Sequence, residues 1–215
     1  MCIRDRIYQI QKDTKERVSN IIVMGMGEPL DNYEELLRFI KLVSCEKGIG
    51  ISQRNITVST CGLVDKIRML ADEKLQITLA ISLHAPNDEI RRQTMPIANR
   101  YTIGEIIQAC KYYFDKTGRR ITFEYSMIRG VNDKEEHAKE LAGRLSGLNC
   151  HINLIPLNEV KERNCYRSTK EDIEKFKSIL EKYRKTVTIR REMGSDIDAA
   201  CGQLRKKFLT KNGRN

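Results

Sequence analysis

The sequence predicts an α/β protein built from parallel βαβ units, and three observations carry that prediction. Strand-like and helix-like segments alternate about six times along the 215 residues, the order of a parallel sheet with helical crossovers. The strand segments are apolar nearly throughout, as expected where both faces of a sheet are covered. Polar side chains collect at the strand ends, at Glu28, Ser59, Ser82, His84, Glu124 and Asn158. In a (β/α) barrel that end is the face that receives ligands. Each of these residues alone also reads as a turn or cap; together they favour a ligand mouth.

The elements follow in order. Ile7–Val18 reads as the end of a helix. Ile21–Met24 is a short apolar strand that runs into Gly25-Met26-Gly27-Glu28, a glycine turn ahead of a helix. Tyr33, Leu36, Leu37, Ile40 and Val43 then repeat at helical spacing. Asn55–Thr60 is a β-branched strand closed by Cys61-Gly62, and after a helical segment Ile77–His84 is the next strand. Thr102 and Glu105 form a capping box for a helix through Ile106, Ile107, Cys110 and Phe114. Arg120–Met127 is a strand, and Asp133 with Glu136 starts a helix through Leu141 and Leu145. His151–Leu157 is a strand, Ser168 with Glu171 caps a helix through Tyr183, and Val187–Arg191 is the last strand.

Composition bounds the function. No long uncharged apolar run and no signal-peptide pattern is present, so the chain reads as soluble and cytoplasmic, with no membrane partner. Seven scattered cysteines show no CxxC or CxxxC spacing, and three histidines lie far apart. Neither a disulfide framework nor an in-chain metal site is indicated. The charge is uneven: Lys161 to Asn215 holds 16 Lys and Arg against 8 Asp and Glu, most of the net +10. Such a basic quarter suits a polyanion such as RNA, and equally a solvated basic surface.

Two stretches carry candidate chemistry. Gly25 and Gly27 let the backbone approach a ligand, and Glu28 sets a carboxylate at the strand mouth, where it can hold an ammonium group. As a bare motif it is equally the turn that ends a strand. In Gly194–Leu204, Cys201 lies among small residues with Arg190 and Arg191 upstream. A thiolate stabilised by arginine is nucleophilic; a small buried cysteine is the plainer reading.

Six segments, Met24–Leu30 (MGMGEPL), Thr57–Gly62 (TVSTCG), Ile81–Asp88 (ISLHAPND), Met95–Tyr101 (MPIANRY), Ile152–Asn158 (INLIPLN) and Ser195–Leu204 (SDIDAACGQL), together closely resemble one family. It is the radical S-adenosylmethionine methyltransferases that methylate C2 of an adenine in 23S ribosomal RNA and in transfer RNA. A sister group that methylates C8 of the same adenine shares much of the framework. The resemblance implies that Gly27 and Glu28 hold the methionine amino end of S-adenosylmethionine. Ser59, Ser82, Leu83, His84 and Asn158 match its other cofactor contacts, and Cys201 matches the cysteine that carries the methyl group as S-methylcysteine. It also implies a reductively cleaved second cofactor, an external electron donor and a monomer.

The resemblance brings one large departure. The family's CxxxCxxC loop, which ligates a 4Fe-4S cluster, has no counterpart in this sequence. The reading is therefore a partial (β/α)6 barrel of the radical-SAM type, with the first strand and the cluster loop absent and no metal ligands in the chain. Residues 1–6 read as a non-native start, 7–205 as a truncated barrel and 206–215 as a basic tail. Such a chain alone is expected to be inactive, and Ile21–Met24 to be an exposed apolar edge. Two readings from other classes stay open. One is a cluster-free RNA-binding α/β protein, and the other a barrel enzyme using Glu28 and Glu124 as acid and base.

Overall fold

The computed structural model describes residues 3–25, 27–157 and 166–191. Within them the strands β1 (Ile21–Val23), β2 (Ile56–Thr60), β3 (Thr78–Ser82), β4 (Ile121–Met127), β5 (Cys150–Pro156) and β6 (Thr186–Ile189) form one sheet. Their spatial order equals their chain order, and every neighbouring pair is parallel. Among the described residues no pairing joins β1 to β6, so the sheet is open, with these two strands as its edges. β1 presents an apolar edge, with Ile22 64% exposed.

Strands that follow one another in a single direction need crossovers of one hand, which place all the connecting helices on one face. These helices are α2 (Tyr33–Ser44), α3 (Val64–Asp72), α4 (Asp88–Thr94), α5 (Ile103–Thr117), α6 (Glu135–Arg144) and α7 (Lys170–Lys182), with α1 (Ile3–Thr14) ahead of β1. The helix-side residues of the strands, Val58, Leu79, Ile81, Phe123, Tyr125, Ile152 and Leu154, are fully buried. Tyr125 stacks obliquely on Phe176 of α7, with ring centroids 5.2 Å apart. No helix among the described residues is long and apolar enough to cross a membrane.

The strands are not apolar on both faces, contrary to the sequence reading. Because side chains alternate across a strand, the register aligns Ser82 with Glu124, Glu124 with Asn153 and Asn153 with Thr188. Ser59, Thr78, Thr122 and His151 share that second face by the same alternation. With all these crossovers on one side, no helix among the described residues covers this face, which carries polar residues.

Local signals set most element boundaries. α2 buries Tyr33, Leu36, Leu37, Ile40 and Val43, as its spacing predicts. The capping box of α5 is formed, with Thr102 N donating to Glu105 Oε2 at 2.8 Å and Glu105 N to Thr102 Oγ1 at 3.2 Å. Two other caps fall one residue later than predicted. Lys134 N donates to His137 Nδ1 at the start of α6 (3.3 Å), and Asp172 N to Thr169 Oγ1 at the start of α7 (3.1 Å). The expected caps Asp133 and Ser168 bond to each other instead, at 2.8 Å. Helix α1 begins at Ile3 and stops at Thr14, short of Val18, because Lys15 takes a left-handed φ of 61°. Helix α4 is absent from the sequence reading because its seven residues hold a single aliphatic, Ile90.

Helix α5 ends on Gly118 at φ 65°, whose N–H donates to Phe114 O at 2.7 Å. Gly118→Ala is expected to lower the unfolding free energy by about 1 kcal/mol, because an alanine in that conformation is strained. Urea denaturation measures it, and an unchanged midpoint would contradict the assignment.

Candidate active site at the strand exits

The chain leaves β1 through a loop in which Gly27, unlike Gly25, takes a positive φ of 93°. That turn delivers Glu28 to the N-terminus of a 3-10 turn over Pro29–Asn32. Its Oε1 accepts from Leu30 N at 3.0 Å, and its Oε2 accepts from Cys61 N, at the exit of β2, at 2.7 Å. The carboxylate therefore joins two strand exits while keeping a lone pair on each oxygen for a further donor. The Cys61 thiol also faces it. Burial, with a hydrogen bond to Glu28 and its charge, pushes that thiol up to about 12, so Cys61 stays protonated and non-nucleophilic. Gly62 at φ 102° completes the turn, and a Cβ there would stand 2.8 Å from Ile106 Cδ1.

The exit of β3 lies beside that of β2. Leu83 N and His84 N both donate to Glu124 O, at 3.1 and 3.2 Å. His84 is held at a left-handed φ of 58°. Its Nδ1 accepts from Ser126 N at 3.0 Å, which leaves the proton on Nε2. Burial and the nearby Arg91 guanidinium lower its pKa from 6.5 to about 4, so the ring is a neutral donor.

Two fully buried polar side chains support this segment. Asn132 Nδ2 donates to His84 O (2.8 Å) and Ser126 O (2.7 Å), and its Oδ1 accepts from Ile128 N (2.7 Å). Arg91 Nε donates to Leu83 O at 3.2 Å, while its Nη2 donates to Cys61 O at 2.6 Å and to Ser82 O at 3.4 Å. Burial lowers the Arg91 pKa, partly offset by Cys61 and Asp88; a guanidinium remains charged regardless.

Across the polar face, Asn153 Nδ2 donates to Glu124 Oε2 at 2.9 Å and Thr188 Oγ1 donates to Asn153 Oδ1 at 3.1 Å. Burial holds the Glu124 carboxyl above the usual carboxylate range, opposed by Asn153 and Arg190. Glu124 lies in the middle of β4, not at its end as the sequence suggested. Its partners lie on β5, whereas those of Glu28 lie at the β1 and β2 exits, which separates the two carboxylates proposed as an acid–base pair.

The structure thus gathers Gly27, Glu28, Ser59, Ser82, Leu83 and His84 at the exits of three adjacent strands. Asn158 and Cys201 lie outside the described residues. Sequence reasoning missed Arg91 and Asn132. Their partners are mostly backbone carbonyls, which carry no residue-type signal, and Asn132 lies 48 positions from His84, so no local pattern marks it.

A family model described as the radical SAM superfamily matches residues 3–142. The chain belongs to that superfamily. It is 62% identical over 205 residues to a protein of Lachnospira eligens named probable dual-specificity RNA methyltransferase RlmN, covering 95% of this chain and 59% of that protein. A Clostridium tetani protein of the same name is 57% identical, with 99% of this chain and 61% of that protein covered. Among solved structures, a radical SAM methyltransferase from Sphaerobacter thermophilus superposes with a TM-score of 0.86 at 47% identity, covering 91% of this chain and 57% of that one. A domain of pyruvate-formate lyase-activating enzyme from Bacteroides vulgatus matches with a TM-score of 0.61 at 21% identity, covering 81% of this chain and all of that domain, a likeness of fold. The chain spans about three fifths of the length of the curated relatives it matches.

The superfamily name implies S-adenosylmethionine and an iron–sulfur cluster. Among the described residues no group of three or more His, Cys, Asp or Glu is placed to hold a metal, so these residues do not fit a cluster. The strand exits do fit the cofactor, since they join a half-buried carboxylate with open lone pairs to hydroxyls and a neutral imidazole.

Proposed function

We propose that this chain carries the S-adenosylmethionine-binding part of an RNA methyltransferase of the RlmN type, acting on adenine C2 in 23S ribosomal RNA and in transfer RNA. The observation that carries the reading is the Glu28 carboxylate, fixed by Leu30 N and Cys61 N at the exit of β2, the strand next to β3, whose exit carries Ser82 and His84. Names of relatives and the basic quarter beyond Lys161 favour RNA as the substrate. In this reading the barrel portion is 7–205, Asn158 is a further cofactor contact and Cys201 carries the methyl group.

Bound at these residues, S-adenosylmethionine would supply the methyl group to be transferred. The residues of the chain bind and orient it. Glu28 accepts from the methionine ammonium, a charge-assisted bond that discriminates the amino-acid end. Ser59 and Ser82 offer hydroxyls, and neutral His84 offers its Nε2 proton. Leu83, fully buried, fixes the spacing between Ser82 and His84.

Calorimetric titration of S-adenosylmethionine into the chain tests this. Binding is expected, and Glu28→Gln should weaken it by about tenfold or more, the worth of one charge-assisted hydrogen bond. Absence of binding by the unaltered chain sinks the reading. Equal affinities for the two proteins would remove Glu28 from its role.

A further inference from the structure

We infer that Arg91 is a positioning residue that locks the carboxylate end of the cofactor cradle to its β3 end. This rests on the reading that Glu28 receives the methionine ammonium. Arg91 is fully buried in α4, yet its guanidinium contacts are backbone carbonyls. They come from three separate segments: Cys61 after β2, Ser82 and Leu83 at the end of β3, and Tyr101 ahead of α5, the last at 3.5 Å. Cys61 is gripped at both ends, its N–H by Glu28 Oε2 at 2.7 Å and its C=O by Arg91 Nη2 at 2.6 Å.

A continuous chain of contacts therefore runs from Glu28 through Cys61 and Arg91 to Leu83. The planar fork of arginine can address several acceptors at fixed angles, which the single point charge of lysine cannot. The fork is itself anchored. Ile90 N donates to Asn87 Oδ1 at 3.0 Å at the start of α4, and Asn87 Nδ2 donates to Glu140 Oε2 of α6 at 2.7 Å. A guanidinium placed only to fill the core would not need to span the two strand exits that flank the cradle. Loss of this link should let the Glu28–Cys61 pair drift relative to Ser82, which weakens ligands that need both ends at once.

The test compares two ligands across the unaltered chain, Arg91→Met and Arg91→Lys. S-adenosylmethionine carries the amino-acid group, and 5′-methylthioadenosine is the related thioether without it. Arg91→Met is expected to weaken S-adenosylmethionine about tenfold and methylthioadenosine less than twofold, with Arg91→Lys intermediate because it keeps the charge but not the fork. A proportional loss for both ligands, or no loss, overturns the inference, since a purely structural role predicts no such split. If the unaltered chain does not prefer S-adenosylmethionine, the Glu28 reading has failed on its own account. Amide hydrogen exchange then decides the Arg91 link without ligand. Faster exchange at Cys61, Leu83 and His84 in Arg91→Lys, with β5 and β6 unchanged, supports it. Uniform or unchanged exchange overturns it.

Discussion

Asn132→Ala is expected to lower the unfolding free energy by about 3 to 4 kcal/mol, among the larger losses available outside the apolar core. The Asn132 side chain is fully buried and makes three hydrogen bonds, to Ile128 N, His84 O and Ser126 O. Alanine leaves one donor and two acceptors of the backbone without partners in a site closed to water, and each costs about 1–3 kcal/mol, only part of which relaxation recovers. The main-chain oxygen of the same residue accepts from Tyr125 Oη at 2.8 Å, so displacement of the loop would loosen a buried tyrosine as well. The left-handed His84 is strained by about 1 kcal/mol, and the bond from Asn132 to its carbonyl helps hold it there. Equilibrium urea unfolding with Asn132→Asp as a companion measures the effect. A loss below about 1 kcal/mol for alanine would mean that water or a local shift replaces all three bonds, and would remove Asn132 from the support of the site.

That result would concern a residue the sequence does not reveal, and the contrast with what it does reveal has a physical cause. α2 and α5 are legible because their apolar residues recur at helical spacing and because a capping box is written within four residues. Glu28 is legible because a glycine turn after an apolar run predicts a strand exit, and the carboxylate is found there. The caps of α6 and α7 are misplaced by one residue because Asp133 and Ser168 satisfy each other across 35 positions, which no local pattern encodes. The polar face is misread for a related reason. Thr, Ser and Ala in the strands look compatible with burial, and only the single-sided placement of the crossovers makes every second residue face away from the helices. Arg91 cannot be told from Arg92 by composition. Arg91 is buried in backbone carbonyls from distant segments, while Arg92 is exposed.

Acidification should destabilise the protein through His84, by up to about 3 kcal/mol between pH 6.5 and 4, the worth of the shift from 6.5 to about 4. The folded state holds the ring neutral, because burial and the Arg91 charge oppose a second proton and because Nδ1 already accepts from Ser126 N. The unfolded chain takes up that proton near 6.5, so between the two values it binds more protons than the folded chain. The stabilisation is therefore complete above 6.5 and is lost as pH falls through about 4. Residual contact of the half-buried ring with solvent makes the figure an upper one. Other groups titrate nearby. His151, lowered by burial and Arg120, acts in the same direction, whereas Glu124, raised by burial, acts in the opposite one. His84→Asn isolates the contribution, since asparagine tolerates the left-handed backbone and does not titrate. The difference in unfolding free energy between the two proteins, followed from pH 7 to pH 4, should narrow or reverse as the histidine protein loses stability. A difference that stays constant over that range would mean that the folded chain accommodates the charged ring. The reading of His84 as a neutral donor at the strand exits would then fall.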